Sequence, residues 1–263
     1  MSRLEVLNPG EAPATADPAG LSRSLLSEAL EARRTGDCEP LGSLAAALRR
    51  VDPTGIEGQD ARVAFWLNVY NALLLHCLCL RPLHGSLLRH LRMFDRVAYD
   101  VGGRPYPLNL IEHGILRRNR RPPFRLRRPL RGGDPRLHAA PPTVDPRVHF
   151  ALNCGARSCP PVLAYDAELV ETQLGAATSA YLDAETEIDS QRRRIALPRL
   201  IRLYRADFGD RAERLAFAAR HLSEPPSWLE DDRGRVRVRY GRFDWTVARP
   251  KSGLPDPRAN PET

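Results

Sequence analysis

Two cysteines separated by four residues are the part of this sequence best suited to chemistry. Cys154 and Cys159 stand in the segment Asn-Cys-Gly-Ala-Arg-Ser-Cys-Pro-Pro, which has a glycine to relax the backbone and an arginine between the thiols. A thiolate is a nucleophile, a redox partner and a metal ligand. The segment is therefore compatible with nucleophilic, redox, metal-binding or purely structural roles, and its spacing alone does not choose among them.

A nucleophilic role requires a neighbouring group that lowers the thiol pKa. Arg157 supplies a cation between the cysteines. The apolar run from Val148 to Leu152 predicts a strand, which at ~3.3 Å per residue would hold His149 roughly 16 Å from Cys154, too far to act as its base. We therefore expect His149 to serve another partner or to stabilise the sheet.

His113 is the base that we expect for Cys154, because it lies on a separate predicted helix and is free to approach the loop. Glu112 or Asn68 would orient the imidazole, and the amides of the 155–156 segment would supply oxyanion donors. This arrangement predicts a hydrolase or an acyl transferase.

Two other thiol chemistries stay open. A redox pair requires the two Cα atoms to lie within about 5.5 Å, which a turn at Gly155 allows. The spacing is not C-x-x-C, and no thioredoxin-type pattern surrounds it. Zinc binding by Cys154, Cys159 and a histidine lacks an evident fourth ligand. We therefore predict neither a cofactor nor a metal.

The elements that must position these residues are mostly helices. The most apolar helix, from Gly58 to Leu80, carries Asn68 and Asn71 on one face. These two amides either orient a catalytic loop or tie the helix to neighbouring backbone, and we favour the structural role. Cys77 and Cys79 point to different faces of this helix, and we interpret them as buried thiols.

Hairpins supply the expected strands. A Gly-Gly turn at 102–103 predicts one hairpin between Arg96 and Leu108, and a second is expected from Thr186 to Leu197. Asn109 is a candidate cap for a helix over 110–116, whose adjacent Glu112 and His113 would diverge by about 100° and not pair. The pattern favours a helix-rich α+β single domain with a small, mainly antiparallel sheet.

Four separated motifs resemble the DUF547 family, a domain of unknown function. They are Phe65 to Ala72, Leu108 to Arg117, the cysteine loop, and Phe243 to Trp245, and the resemblance runs from about Ser43 to about Val247. Relatives joined to glutaredoxin-like regions give the redox interpretation mild support. The resemblance identifies no reaction.

A papain- or transglutaminase-like layout is a further interpretation. Those folds place a cysteine on a helix and a histidine at a strand start, and here the helix carries Asn68 and Asn71 while His149 would open the strand. On this analogy the usual nucleophile is absent, and the protein would be a silent relative. A non-catalytic interaction scaffold is the remaining alternative.

Charge gives little support to nucleic-acid binding. The chain of 263 residues has a formal charge of +8, but Lys251 is its only lysine, and GC-rich coding would produce such an arginine excess. Arginines and prolines concentrate in residues 117–142, and the loop from Arg117 to Arg136 would either be solvated or meet an acidic protein partner. The substrate would be a small molecule or a protein.

The ends and the cysteine count give the remaining expectations. We expect a disordered lead over residues 1–19, one domain over 20–248 and a disordered tail over 249–263. The N-terminus has no signal-peptide pattern, and the longest apolar run falls short of the ~20 residues of a membrane span. Five cysteines without a secretion signal predict free thiols and a cytoplasmic location.

Overall fold

The computed structural model describes residues 4–12, 17–123, 125–229 and 235–248. Seven α-helices lie within these ranges: α1 (Pro18–Thr35), α2 (Glu39–Ala46), α3 (Gln59–Leu80), α4 (Val170–Glu185), α5 (Arg199–Leu203), α6 (Arg205–Phe208) and α7 (Arg211–His221). Six short strands complete the regular structure, and they confirm the α+β class: β1 (Glu5–Val6), β2 (Val97–Val101), β3 (Arg104–Pro107), β4 (Glu187–Asp189), β5 (Arg194–Leu197) and β6 (Arg237–Tyr240).

Helix α3 is the centre of the main core. Its side chains are buried without interruption from Val63 to Leu78, as expected for a helix that is apolar on every face. By length and composition alone α3 could span a membrane, which corrects our estimate that it is too short. However, 89% of the qualifying window is buried inside the protein, which is also typical of a core helix.

The strands form two small mixed sheets instead of one mainly antiparallel sheet. In the first sheet β2 pairs antiparallel with β3 and parallel with β1, and in the second β5 pairs antiparallel with β4 and parallel with β6. Both predicted hairpins are present. Gly102 and Gly103 have φ of 59° and 75° in the first turn, a conformation that favours glycine.

The N-terminal segment is ordered where it is described. Glu5 and Val6 pair with β2, and the buried Asn8 side chain donates to the carbonyls of Ala45 and Asp100. The expectation of a disordered lead is therefore wrong for residues 4–12. The expected disordered tail, 249–263, lies outside the described residues.

Two helical segments differ from the prediction and both belong to the candidate site. Leu110–Leu116 is a π-helix, in which the amide of Arg117 donates to the carbonyl of Glu112, five residues earlier. The predicted strand at His149 is wrong. Pro146–Phe150 is a 3-10 helix that begins after Asp145, whose carboxylate accepts from the amide of Arg147.

Two of the five cysteines form a disulfide, contrary to our expectation of free thiols. Cys38, between α1 and α2, is bonded to Cys79 near the end of α3, and their Cα atoms lie 6.4 Å apart. Cys77, Cys154 and Cys159 are free. Burial raises the pKa of Cys77 to about 11, so this thiol is protonated at neutral pH.

A second, smaller core lies beside the main one. It contains Phe150 and residues of α4, β5, α5, α6 and α7, including Leu182, Ile195 and Phe208. The last turn of the 3-10 helix Pro146–Phe150 thus connects the two cores. His149, next to Phe150, lies where they meet.

Candidate active site

A cavity of about 200 Å³ brings together most of the residues that the sequence singles out. Cys154, Cys159, Glu112, His113 and His149 all line it. Most of the remaining wall is apolar, with side chains from the 3-10 helix Leu87–Asp95, from α5 and from the C-terminal segment. The cavity therefore combines two thiols, two imidazoles and a carboxylate in apolar surroundings.

The two thiols are in direct contact. The Sγ atoms of Cys154 and Cys159 lie 2.7 Å apart, and the backbone amide of Cys154 donates to the Cys159 sulfur across 3.1 Å. A disulfide needs a separation of about 2.0 Å, so the pair is close to the bonded geometry.

The environment makes the two thiols unequal. Burial alone would raise the pKa of Cys159, but hydrogen bonds from the Cys154 thiol and from the amides of Cys154, Gly155 and Ala156 hold it below the usual value. The hydrogen bond to Cys159, together with burial, raises the pKa of Cys154 well above its usual value. Cys159 is therefore the thiol of the pair that ionises first, and Cys154 holds its proton longer.

Side-chain amides hold the loop from below. Asn71 on α3 donates to the carbonyl of Ala151 across 3.0 Å and accepts from the amide of Asn153, also across 3.0 Å. The Asn153 side chain donates to the carbonyl of Pro160 across 2.7 Å, and so closes the loop on itself. Gly155 has φ of 89°, which a side chain would strain.

The C-terminal segment holds the loop from the other side. The amide of Arg157 donates to the carbonyl of Thr246, and the amide of Leu87 donates to the carbonyl of Trp245. Phe243 and Trp245 line the cavity with their rings 4.4 Å apart. This segment therefore joins the cysteine loop to the 3-10 helix that forms the opposite wall.

The π-helix directs two adjacent residues into the cavity. His113 Nδ1 lies 3.4 Å from Glu112 Oε1, so our expectation that these residues diverge is wrong. The extra residue in each π turn changes the direction of the side chains relative to an α-helix, and such turns occur frequently at functional sites. Burial lowers the pKa of His113 to about 4, so the ring is neutral at pH 7.

Arg117 fixes the tautomer of His113. Its Nη1 donates to His113 Nδ1 across 2.9 Å, and because a guanidinium only donates, Nδ1 is an acceptor and the ring proton lies on Nε2. Arg117 is itself buried and forms a bidentate ion pair with Asp207. Nδ1 therefore has no proton to give to Glu112.

Asp207 connects the second core to the site. Its Oδ2 accepts from His149 Nε2 across 2.8 Å, and the His149 ring stacks on Tyr204 with centroids 3.7 Å apart. Burial would raise the pKa of Asp207, but its hydrogen bonds with His149 and Arg117 hold it well below the usual value. Burial lowers the pKa of His149, so a neutral imidazole lies beside an ionised carboxylate.

One family model matches the sequence, that of a protein family of unknown function, over residues 54–182. This segment is a DUF547 domain. Neither the curated proteins nor the solved structures gave a match. No solved structure therefore supports the papain-like layout. Its premise of a strand that begins at His149 is wrong.

The DUF547 segment supplies only part of the cavity. It contains both cysteines, both histidines and Glu112, whereas Tyr204, Phe243 and Trp245 of the wall, and Asp207 behind His149, follow it in the chain. Sequence reasoning missed Tyr70, Arg117, Tyr204 and Asp207 as site residues. Arg117 had one readable signal, its position four residues after His113 in a helical segment. No pattern of neighbouring residues in the sequence identifies Asp207 as a site residue.

Two residues that the sequence singled out lie elsewhere. Asn68 bonds the backbone of Tyr165 in both directions, at 2.8 and 2.9 Å, and does not line the cavity. The Arg157 side chain is exposed and is not part of the cavity wall. The Arg157 side chain therefore does not supply the cation that the sequence placed between the thiols.

The arginine-rich segment is less solvated than its composition indicates. Arg117 and Arg120 pair with Asp207, Arg125 pairs with Asp95, and Arg136 pairs with Asp134. These four arginines are therefore paired with carboxylates of the same chain. In the described part of the chain, no group of three or more histidine, cysteine or acidic side chains is arranged to hold a metal ion.

Proposed function

We propose that the cavity is the active site of a thiol–disulfide exchange enzyme. The observation that carries this proposal is the contact of 2.7 Å between the sulfurs of Cys154 and Cys159. The pair needs only a small movement to become a disulfide, and its two thiols differ in proton affinity as an attacking and a resolving thiol must.

The reaction follows from this inequality. The Cys159 thiolate attacks one sulfur of a disulfide R–S–S–R′, forms a mixed disulfide and releases R′S⁻, which takes a proton from solvent. Cys154 then loses its proton and attacks the Cys159 sulfur, which releases RS⁻ and leaves the Cys154–Cys159 disulfide. The substrate gains two electrons and the protein loses two, and an external dithiol is the co-reactant that reduces the pair again.

Backbone geometry favours exchange over acyl transfer. An oxyanion hole needs amides that point at the developing charge. The amide of Gly155 donates to Asn153 Oδ1 across 2.7 Å, and the amide of Ala156 lies against the two sulfurs, where it lowers the pKa of each. The amides expected to serve as oxyanion donors are thus already occupied.

Acyl transfer remains the second candidate because of the histidines. His113 and His149 are neutral and line the same cavity as the thiols, which is the condition for general base catalysis. This candidate requires that Cys159 form a stable thioester, whereas the neighbouring Cys154 thiol is placed to attack any such adduct.

Trapping of a mixed disulfide tests the proposal. The protein is first reduced mildly, treated with bis(2-hydroxyethyl) disulfide, quenched in acid and mapped by peptide mass spectrometry. We expect the native protein to form the Cys154–Cys159 disulfide without a lasting adduct. Cys154→Ser should accumulate a hydroxyethyl adduct on Cys159, and Cys159→Ser should react far more slowly.

Cys77→Ala is the matched control, because Cys77 is free and buried but does not line the cavity. This variant should behave like the native protein. If Cys154 and Cys159 stay reduced in the native protein while a model thioester acylates Cys159, the acyl-transfer candidate replaces exchange. If both thiols are inert until the protein unfolds, the interaction-scaffold interpretation is correct.

A further inference from the structure

One carboxylate oxygen in the cavity wall lacks a partner. Glu112 is 7% exposed, and its Oε1 accepts no hydrogen bond. The other oxygen, Oε2, is contacted by the hydroxyl of Tyr70 across 3.5 Å. The nearest nitrogen to Oε1, His113 Nδ1, is already an acceptor for Arg117 and has no proton to offer.

Burial alone would raise the pKa of Glu112, but the neighbouring histidines, the hydroxyl of Tyr204 and Arg117 hold it below its usual value, so the carboxylate is ionised. Among the described residues that line the cavity, Glu112 is the one acidic side chain. The two nearby arginines are neutralised elsewhere, since Arg117 is paired with Asp207 and Arg125 forms a bidentate pair with Asp95. A cationic ligand that enters the cavity would therefore meet an ionised carboxylate and, among the described residues of the wall, no competing cation that is free to pair with it.

The remaining wall strengthens such an ion pair. Leu87, Leu88, Leu91, Phe94 and Trp245 form an apolar wall of the cavity on the side of the 3-10 helix. A charge pair in low-dielectric surroundings is worth more than one in water. Glu112 is also close enough to Cys154 for its charge to raise the pKa of that thiol. A cation at Glu112 would therefore lie near the reacting sulfurs.

From these observations we propose that the cavity selects disulfides that carry a protonated amine a few bonds from the sulfur, with the carboxylate of Glu112 as the recognition group. This inference rests on the proposed exchange reaction for its chemistry. The ligand class is an aminothiol in its disulfide form, and the apolar wall accommodates the carbon chain.

The test compares three small disulfides at pH 7: cystamine, bis(2-hydroxyethyl) disulfide and 3,3′-dithiodipropionate. The rate of Cys154–Cys159 oxidation by each is divided by the rate at which the same disulfide oxidises free dithiothreitol, which removes differences in intrinsic reactivity. A charge-assisted hydrogen bond predicts a preference of about tenfold or more for the cationic over the neutral disulfide, and the acidic one should be the slowest.

Glu112→Gln keeps the size of the side chain and removes its charge. We expect this variant to lose the preference for cystamine, measured as the ratio of its rates with the cationic and the neutral disulfide. Glu168→Gln, at an exposed position outside the cavity, is the matched control. An equal loss of rate with all three disulfides would overturn the inference and make Glu112 a proton acceptor. If Glu112→Gln does not fold, the native protein alone tests the inference. Its rate with cystamine should exceed its rate with the neutral disulfide, and equal rates would overturn the inference.

The two proposals fail in different ways. Oxidation of the pair by the neutral disulfide without a preference for the cationic one leaves exchange standing and removes amine recognition. If none of the three disulfides oxidises the pair, exchange is removed, and amine recognition is decided by calorimetric titration with butylamine. Binding of butylamine but not butanol, lost in Glu112→Gln, would support it, and absence of binding would reject it.

Discussion

The chain brings two pairs of cysteines together, and their surroundings differ in a way that separates a structural link from a reactive pair. Cys38 and Cys79 are 41 residues apart in sequence and are covalently joined. Cys154 and Cys159 are five residues apart, share a cavity and touch as thiols. The first pair restrains the chain, whereas the second lies in a loop already held by hydrogen bonds to side chains and backbone.

The comparison shows that proximity of two sulfurs does not determine their chemistry. A link over a long loop removes much conformational freedom from the unfolded chain, whereas a link over five residues removes little. A short-range pair therefore contributes least to stability, and its position beside a cavity is better explained by reactivity.

The largest effect should come from the buried ion pair beside the reactive cysteines. Asp207→Ala leaves the buried Arg117 without its carboxylate, and loss of one partner of such a pair costs about 3 to 5 kcal/mol of unfolding free energy. Urea denaturation measures this loss. The control is Asp189→Ala, whose exposed pairing with Arg192 is worth at most about 1 kcal/mol. Equal losses in the two variants would show that the ion pair does not stabilise the site.

The next effect concerns the structural cysteine pair. Replacing both Cys38 and Cys79 by alanine should lower the unfolding free energy by about 2 to 4 kcal/mol, because the disulfide closes a long loop. The alkylation rate of Cys159 should not change. The matched variant with alanine at 154 and 159 should lose less stability, since it removes no covalent link from the reduced protein. If the variant with alanine at 154 and 159 lost more unfolding free energy, Cys154 and Cys159 would be the structural pair.

Local patterns predicted the parts of the fold that depend on neighbouring residues. The hairpin at Gly102 and Gly103 follows from a turn that needs positive φ, and the cysteine loop was recognisable from its residue types. The 3-10 helix at Pro146–Phe150 was mistaken for a strand because a short apolar run has no decisive period. Asp145 followed by Pro146 was the overlooked signal, since this pair is typical of a helix start.

The sequence did not predict contacts between residues that lie far apart in the chain. Asp207 meets His149 across 58 residues and Arg117 across 90, and a single sequence carries no signal for such pairs. The Cys38–Cys79 disulfide was not predicted for the same reason, because cysteine positions alone do not determine connectivity. The site was therefore predicted as a set of residues from the central segment, without the second core that completes it.

The third prediction concerns the contribution of His113 in the cavity to the pH dependence of the unfolding free energy. His113 has a pKa of about 4 when folded and about 6.5 when unfolded, so the unfolded chain binds the proton first as pH falls. Its contribution to stability is fully present above about pH 6.5 and is lost as pH falls towards 4. Between pH 7 and pH 5 this loss amounts to about 2 kcal/mol.

His113→Asn tests this assignment, because its side-chain oxygen can still accept from Arg117 but does not titrate. Urea denaturation at pH 7 and pH 5 should show a smaller pH dependence in the variant than in the native protein. His76, whose pKa burial also lowers to about 4, remains in both proteins and contributes equally. Asp207 adds nothing in this window, since its depressed pKa places its loss of stability below about pH 4. An unchanged slope would mean that His113 binds its proton equally well in the folded and the unfolded protein.

The smallest effect should be the most specific, since it compares two asparagines one helical turn apart on α3. Each bonds backbone in both directions, Asn68 at Tyr165 and Asn71 at the start of the cysteine loop. Replacement of either by alanine should cost about 1 to 2 kcal/mol of unfolding free energy. Only Asn71→Ala should slow iodoacetamide alkylation of Cys159 at pH 6, because a loosened loop no longer directs its amides at the sulfur. Equal alkylation in both variants would mean that the thiolate is stabilised without help from α3.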